Sequence, residues 1–149
     1  MREIKARLVV AIVIGAFCGV TRVALRAQGT ASVWDGVYTG KQAERGSVLY
    51  GQRCASCHGD HLQGKRPQTP ALTGSGFKGN WNGETVDDLF EKIQTAMPAD
   101  KPGTLSRPQN ADALAFILKA NEFPAGQAEL PTDAEKLKQI RFEAERPAK

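Results

Sequence analysis

Residues 54–58, Cys54-Ala55-Ser56-Cys57-His58, read C-x-x-C-H, and the rest of the chain is organised around them. Two thiols three positions apart can each add to one of the two vinyl groups on a porphyrin edge. The adjacent imidazole is then held under the ring, where it can ligate iron, and the pattern is the attachment sequence of a c-type haem. Two other chemistries use C-x-x-C. A redox dithiol of the thioredoxin kind wants a βαβ setting, which this sequence does not offer. Half of a zinc site wants a second Cys/His pair, but only His61 lies nearby and no cysteine follows Cys57.

With His58 on one side of an iron, the other side needs a donor from far along the chain. His61 is too close to His58 to wrap around a ring edge and reads as a solvated loop residue. Apart from Met1 the only methionine is Met97, 39 residues after His58. It stands in Ala96-Met97-Pro98-Ala99-Asp100-Lys101-Pro102-Gly103, a proline-braced loop from which a side chain can turn into a cofactor. A soft thioether favours Fe(II) over Fe(III) and raises the reduction potential relative to a second histidine. The competing readings are Met97 as core filler, Lys101 or Lys78 as the ligand, and an open iron.

Lys41 to Cys54 has helical spacing, with Ala43, Gly46, Tyr50 and Cys54 near one face and Thr39 as cap. Glycine weakens a helix by about 1 kcal/mol relative to alanine, so Gly46 on the buried face implies close approach of another helix. Residues 109–121 are the last strong helix, with Ala113 and Phe116 sized to meet Gly46 and Tyr50. Between them, Thr85 to Thr95 reads as a short helix capped by Thr85, with Asp87 and Asp88 in its first turn. Residues 59–82 read as a long loop of a kind that wraps a ligand. Within it, Leu72 of Pro70-Ala71-Leu72-Thr73-Gly74 is a candidate ring contact. The Pro70 carbonyl is a candidate acceptor for the Nδ1 proton of His58, which would fix its tautomer and strengthen it as a donor. Trp81 is placed either to donate its indole N–H to a haem propionate or to pack. Trp34 reads as packing on the domain. Thr132 to Glu145 reads as a charged surface helix, capped by Thr132 with Glu135 as partner.

The 149 residues carry a formal net charge of +4, but the basicity sits in the leader. Arg2, Lys5 and Arg7 precede Leu8 to Val20, an apolar run of 13 residues, and small residues follow for cleavage after Ala27. The run falls short of the ~20 residues of a spanning helix, so a cleaved secretory signal is expected and an uncleaved anchor is the alternative. Loss of residues 1–27 removes five basic residues and one acid and leaves a formally neutral chain, which is no footprint for nucleic acid. Cys18 leaves with the leader, so a haem would use both remaining cysteines. The expected organisation is a signal over residues 1–27, an irregular lead-in over 28–40, a haem domain over 41–121 and a C-terminal extension over 122–149.

These motifs, in this order and spacing, resemble the class I, mitochondrial-type c-type cytochromes. The likeness covers residues 41–121 and rests on Gly46 and Tyr50, on Cys54, Cys57 and His58, on residues 70–74, on Met97-Pro98 and on the closing helix. It implies an all-α fold of about three to four helices around one covalent haem c, with His58 and Met97 as axial ligands and electron transfer as the role. An exported carrier would work in the periplasm, between a dehydrogenase donor and an oxidase or another cytochrome as acceptor. Membrane contact is expected only with an uncleaved N-terminal segment. The lead-in Trp34-Asp35-Gly36-Val37-Tyr38-Thr39 is similar to that of bacterial cytochromes associated with quinoprotein dehydrogenases. The alternative is therefore a dedicated haem subunit of such an enzyme, with the lead-in and tail as contact surfaces. An open-site haem enzyme or gas sensor would need Met97 not to ligate, and an acid–base residue on that side.

Overall fold

The computed structural model describes residues 31–65 and 67–148. The N-terminal apolar run and the cleavage site lie outside them. Among the described residues there are six helices, α1 (Gly40–Arg53), α2 (Ala55–His58), α3 (Gly74–Trp81), α4 (Val86–Ala96), α5 (Arg107–Ala120) and α6 (Ala134–Leu137). A pair of two-residue strands, β1 (Ala31–Ser32) and β2 (Ile140–Arg141), completes the fold. None of these helices is long and apolar enough to cross a membrane.

The frame is α1 packed along α5. The Thr39 hydroxyl accepts the Gln42 N–H at 3.1 Å and starts α1. Ser106 and Gln109 form a reciprocal capping box on α5, with a proline in its first turn. Where the helices cross, a Cβ on Gly46 would overlap the Asp112 carbonyl, so only glycine allows the approach. Tyr50 meets Phe116 with ring centroids 5.2 Å apart. Arg45 closes the outer edge with two hydrogen bonds to Asp112, at 3.0 and 2.8 Å. Leu114 and Leu118 are fully buried, each contributing about 1.5–3 kcal/mol of apolar burial.

α4 is capped as its sequence suggests. Thr85 and Asp88 form a capping box, and Val86, Leu89, Phe90 and Ile93 form the buried stripe. Arg107 lies 4.5 Å over the Phe90 ring and bonds Glu91 at 2.9 Å, tying α4 to the start of α5.

Two expectations need correction. Residues 59–82 are not loop throughout, because α3 occupies Gly74–Trp81. Three glycines in eight residues argue against a helix on propensity. Burial overrides it: Phe77 packs edge-on against Phe142 with centroids 6.1 Å apart, and the Gly74 N–H bonds the Asn121 side chain. Nor is the tail a long surface helix. Asp133 rather than Thr132 caps α6, which ends after four residues. The chain then becomes extended, with Ile140 and Phe142 inward and Arg141 outward, the period of a strand rather than a helix. β2 pairs in parallel with β1, Ala31 opposite Ile140. Phe142 is fully buried, 5.2 Å from Phe123. The lead-in packs on the same cluster. Trp34 meets Phe123 edge-on at 4.8 Å and donates its indole N–H to the Glu143 carbonyl at 2.9 Å.

Candidate functional site

At the end of α1 the chain turns sharply at Cys54 and enters the single turn α2. The Cys54 carbonyl accepts the N–H groups of Cys57 and His58 at 3.1 and 2.9 Å. This places the two thiols one helical turn apart, on neighbouring faces. Both are unbonded, Cys54 half-buried and Cys57 exposed. Burial pushes the Cys54 thiol above its ordinary pKa, the opposite of the depressed value that activates a redox thiolate. Among the described residues, no three His, Cys, Asp or Glu side chains gather as a metal cage.

His58 is buried at 8 % exposure, and its Nδ1 lies 3.0 Å from the Pro70 carbonyl oxygen. A carbonyl can only accept, so Nδ1 carries a proton, and in the neutral ring Nε2 then keeps the lone pair for a ligand. The segment after His58 is laced to this bond. Gly64 donates to the His58 carbonyl at 2.7 Å and Leu72 to the Leu62 carbonyl at 2.8 Å. Gly64 has φ +72°, and a Cβ there would press on the Pro70 backbone at 2.6 Å. The Tyr50 hydroxyl, from α1, donates to the Gly59 carbonyl at 2.6 Å. Burial pushes its pKa up to about 12.

Met97 ends α4, its N–H bonding the Ile93 carbonyl at 3.1 Å. Its side chain is half-buried against the core, and Pro98 behind it is buried. The loop that follows is mostly exposed. One contact joins it to the C-x-x-C-H end: Arg53, beside Cys54, donates to the Thr104 hydroxyl at 3.2 Å. The structure therefore brings Cys54, Cys57, His58 and Pro70 into one turn-and-loop unit, with the Met97 loop fastened to the adjoining end of α1.

Leu72 and Trp81 are half-buried apolar side chains at the edge of the core, like Cys54 and Met97. Pro70 itself is exposed, and its carbonyl is the part in use. His61 is exposed. Of the competing lysines, Lys101 is exposed and Lys78 half-buried on α3.

The sequence reading overlooked three polar side chains. Asn121 reads as the end of a helix, yet it is buried and bonds the Leu72 carbonyl at 2.8 Å. Gln94 bonds the Leu105 carbonyl at 3.3 Å across the Met97 loop. Gln42 is expected to point away from the buried face of α1, yet it is buried and exchanges two hydrogen bonds with the Leu130 backbone at 3.2 and 2.7 Å. The one available signal was an amide on an otherwise apolar helix face.

The donor set fits a haem c. It offers two unbonded thiols a turn apart, an imidazole with a fixed tautomer, a half-buried thioether and apolar neighbours. The family comparison points the same way. The sequence model of the family described as cytochrome c oxidase, cbb3-type, subunit III matches residues 41–117, just over half the chain. No curated protein matches. Among solved structures, the crystal structure of the sulfane dehydrogenase SoxCD from Paracoccus pantotrophus is similar at a TM-score of 0.47 and 22% identity. That likeness covers 84% of this chain and 68% of that one.

Proposed function

The chain belongs to this family of c-type cytochrome domains, and from that premise we propose that it is a monohaem carrier of single electrons between redox proteins. The haem, when bound, supplies a one-electron couple at its iron. Cys54 and Cys57 would hold the ring as thioethers. His58 Nε2 and the Met97 sulfur would be the protein's ligands to its iron.

The observation that carries this reading is the His58–Pro70 contact at 3.0 Å inside a C-x-x-C-H turn. It holds the neutral imidazole in the one tautomer that leaves Nε2 free to serve as a donor to a metal. On the opposite side, Met97 would favour the reduced state. Leu72 would keep water from the ring, and Trp81 would cover an edge or offer its N–H to a propionate. With both axial positions taken by the protein, neither substrate nor O₂ would reach the metal, and partners would dock through small, short-lived interfaces.

We place this work in the periplasm, on the strength of the signal-like segment at residues 1–27 and of the outward-side chemistry of haem attachment. The donor would be a dehydrogenase and the acceptor an oxidase or another cytochrome. The reading as a dedicated dehydrogenase subunit has less support, because its suggested contact residue Trp34 already packs on Phe123 and bonds Glu143.

Met97→Ala tests the ligand set. The variant should keep its haem and bind carbon monoxide at once when reduced, whereas the parent should bind it only slowly, as Met97 lets go. A reduced spectrum that carbon monoxide leaves unmoved in the variant would rule Met97 out.

A further inference from the structure

The buried positions of α5 are otherwise Ala, Leu and Ile, yet Asn110 is fully inside and Asn121, the C-cap, is 4 % exposed. Polar groups are kept in such places when their hydrogen bonds matter.

Asn121, the C-cap of α5, uses its whole amide. Its Nδ2 donates to the Leu72 carbonyl at 2.8 Å and to the Ile117 carbonyl at 2.9 Å, and its Oδ1 accepts the Gly74 N–H at 3.2 Å. It therefore grips the backbone two and four residues beyond Pro70, whose carbonyl holds His58 at 3.0 Å.

Asn110 acts near the other end of the helix. Its Nδ2 donates to Gln94 Oε1 at 2.7 Å, and Gln94 Nε2 donates to the Leu105 carbonyl at 3.3 Å. Gln94 lies three residues before Met97 and Leu105 eight after it. The relay thus ties together the two ends of the Met97 loop. Among the described residues, Asn110 Oδ1 has no hydrogen-bond partner. A buried amide oxygen without one is a net cost, and an apolar side chain would fill the space without it. What offsets that cost is the orientation of Gln94.

We propose that α5 is a brace that sets both axial ligands. Asn121 holds the loop that orients His58, and Asn110, through Gln94, holds the loop that presents Met97. The inference rests on the assignment of His58 and Met97 as ligands. Both asparagines are positioning residues. They are eleven residues apart, about 16 Å along one helix. α5 in turn packs on α1, which leads into Cys54. The two loops are therefore referred to one rigid element and to the tethered end of the ring.

The test uses the full, haem-loaded chain and reads three things: the iron–thioether charge-transfer band of the oxidised form, the midpoint potential, and the rate at which carbon monoxide enters the reduced form. Gln94→Glu keeps an acceptor for Asn110 but turns an acceptor toward the Leu105 carbonyl. It and Asn110→Leu should weaken the band, lower the potential and speed carbon monoxide entry about tenfold, the effect of losing one buried hydrogen bond. Asn121→Asp keeps the acceptor for Gly74 and loses the donor to Leu72. It should shift the potential and leave carbon monoxide entry unchanged.

Variants that melt earlier but keep the parental band, potential and entry rate would overturn the brace and leave these residues as scaffold only. Gln94 is half-buried and its substitution conserves shape, so it answers the question even where Asn110→Leu does not fold. Met97→Ala separates the two ideas. If it changes the spectrum while Gln94→Glu does not, the brace alone fails. If it changes nothing, the ligand assignment fails and the Met97 arm of the brace with it.

Discussion

The two loops that flank the site are built differently. The loop after His58 is a net of backbone bonds, Gly64 to His58, Leu72 to Leu62 and a reciprocal Lys65–Thr69 pair at 3.0 Å, pinned by Tyr50 from α1 and Asn121 from α5. The loop after Met97 is exposed from Ala99 to Thr104. It is held at few points: Lys101 to the Pro98 carbonyl at 2.9 Å, the Thr104 hydroxyl to the Lys101 carbonyl at 2.9 Å, Gln94 to Leu105, and Arg53 to Thr104. Local opening follows the density of such buried contacts. On the proposed ligation, the imidazole side would therefore be the fixed reference, and the thioether side the place where ligand exchange begins.

The comparison breaks most completely at the helix crossing that serves both loops. Gly46→Val forces a side chain into the Asp112 backbone and should cost about 3 kcal/mol, the upper range for overpacking. Denaturant unfolding would read it, and carbon monoxide entry should accelerate as both loops loosen together. A smaller change aims at the imidazole side alone. Tyr50→Phe removes the bond to Gly59 and should cost about 1 kcal/mol while leaving carbon monoxide entry as it was.

The same residue sets a pH signature. The Tyr50 pKa lies above its ordinary 10, at about 12, because burial disfavours the phenolate. The folded protein thus holds its proton longer than the unfolded chain. That contribution is complete below pH 10 and is lost as pH rises toward 12. Unfolding measured across this range should lose stability in the parent, and lose less of it in Tyr50→Phe. The smallest effect is expected from Thr104→Ala on the exposed loop. It should change stability by less than about 0.5 kcal/mol yet measurably speed carbon monoxide entry by releasing both Arg53 and the Lys101 carbonyl. Equal sensitivity of both loops in these measurements would contradict the asymmetry.

Much of this was legible in the residues. The C-x-x-C-H turn, α4 with its Thr85 cap and the Gly46–Phe116 crossing all follow from local patterns, because each element there agrees with its own periodicity and capping residues. α5 begins earlier than its apolar stripe, since Ser106 and a proline in the first turn define its start. What escaped were features decided by distant contacts. α3 has a sequence that resists helix formation and folds because Phe77 and Gly74 find partners in the tail and at Asn121. The tail switches period at Ile140 because a strand partner waits 109 residues upstream, at Ala31. The asparagines of α5 look like ordinary polar interruptions until their acceptors are known.

The central claim is that Cys54 and Cys57 carry a covalent haem, and the intact mass of the protein measured under denaturing conditions tests it most directly. The chain should be produced in a host that exports proteins and attaches haem. The account predicts a polypeptide heavier than its amino acids by one haem, with the colour remaining on the denatured chain. A mass equal to that of the amino acids alone, with the colour extracted into acid solvent, would contradict it.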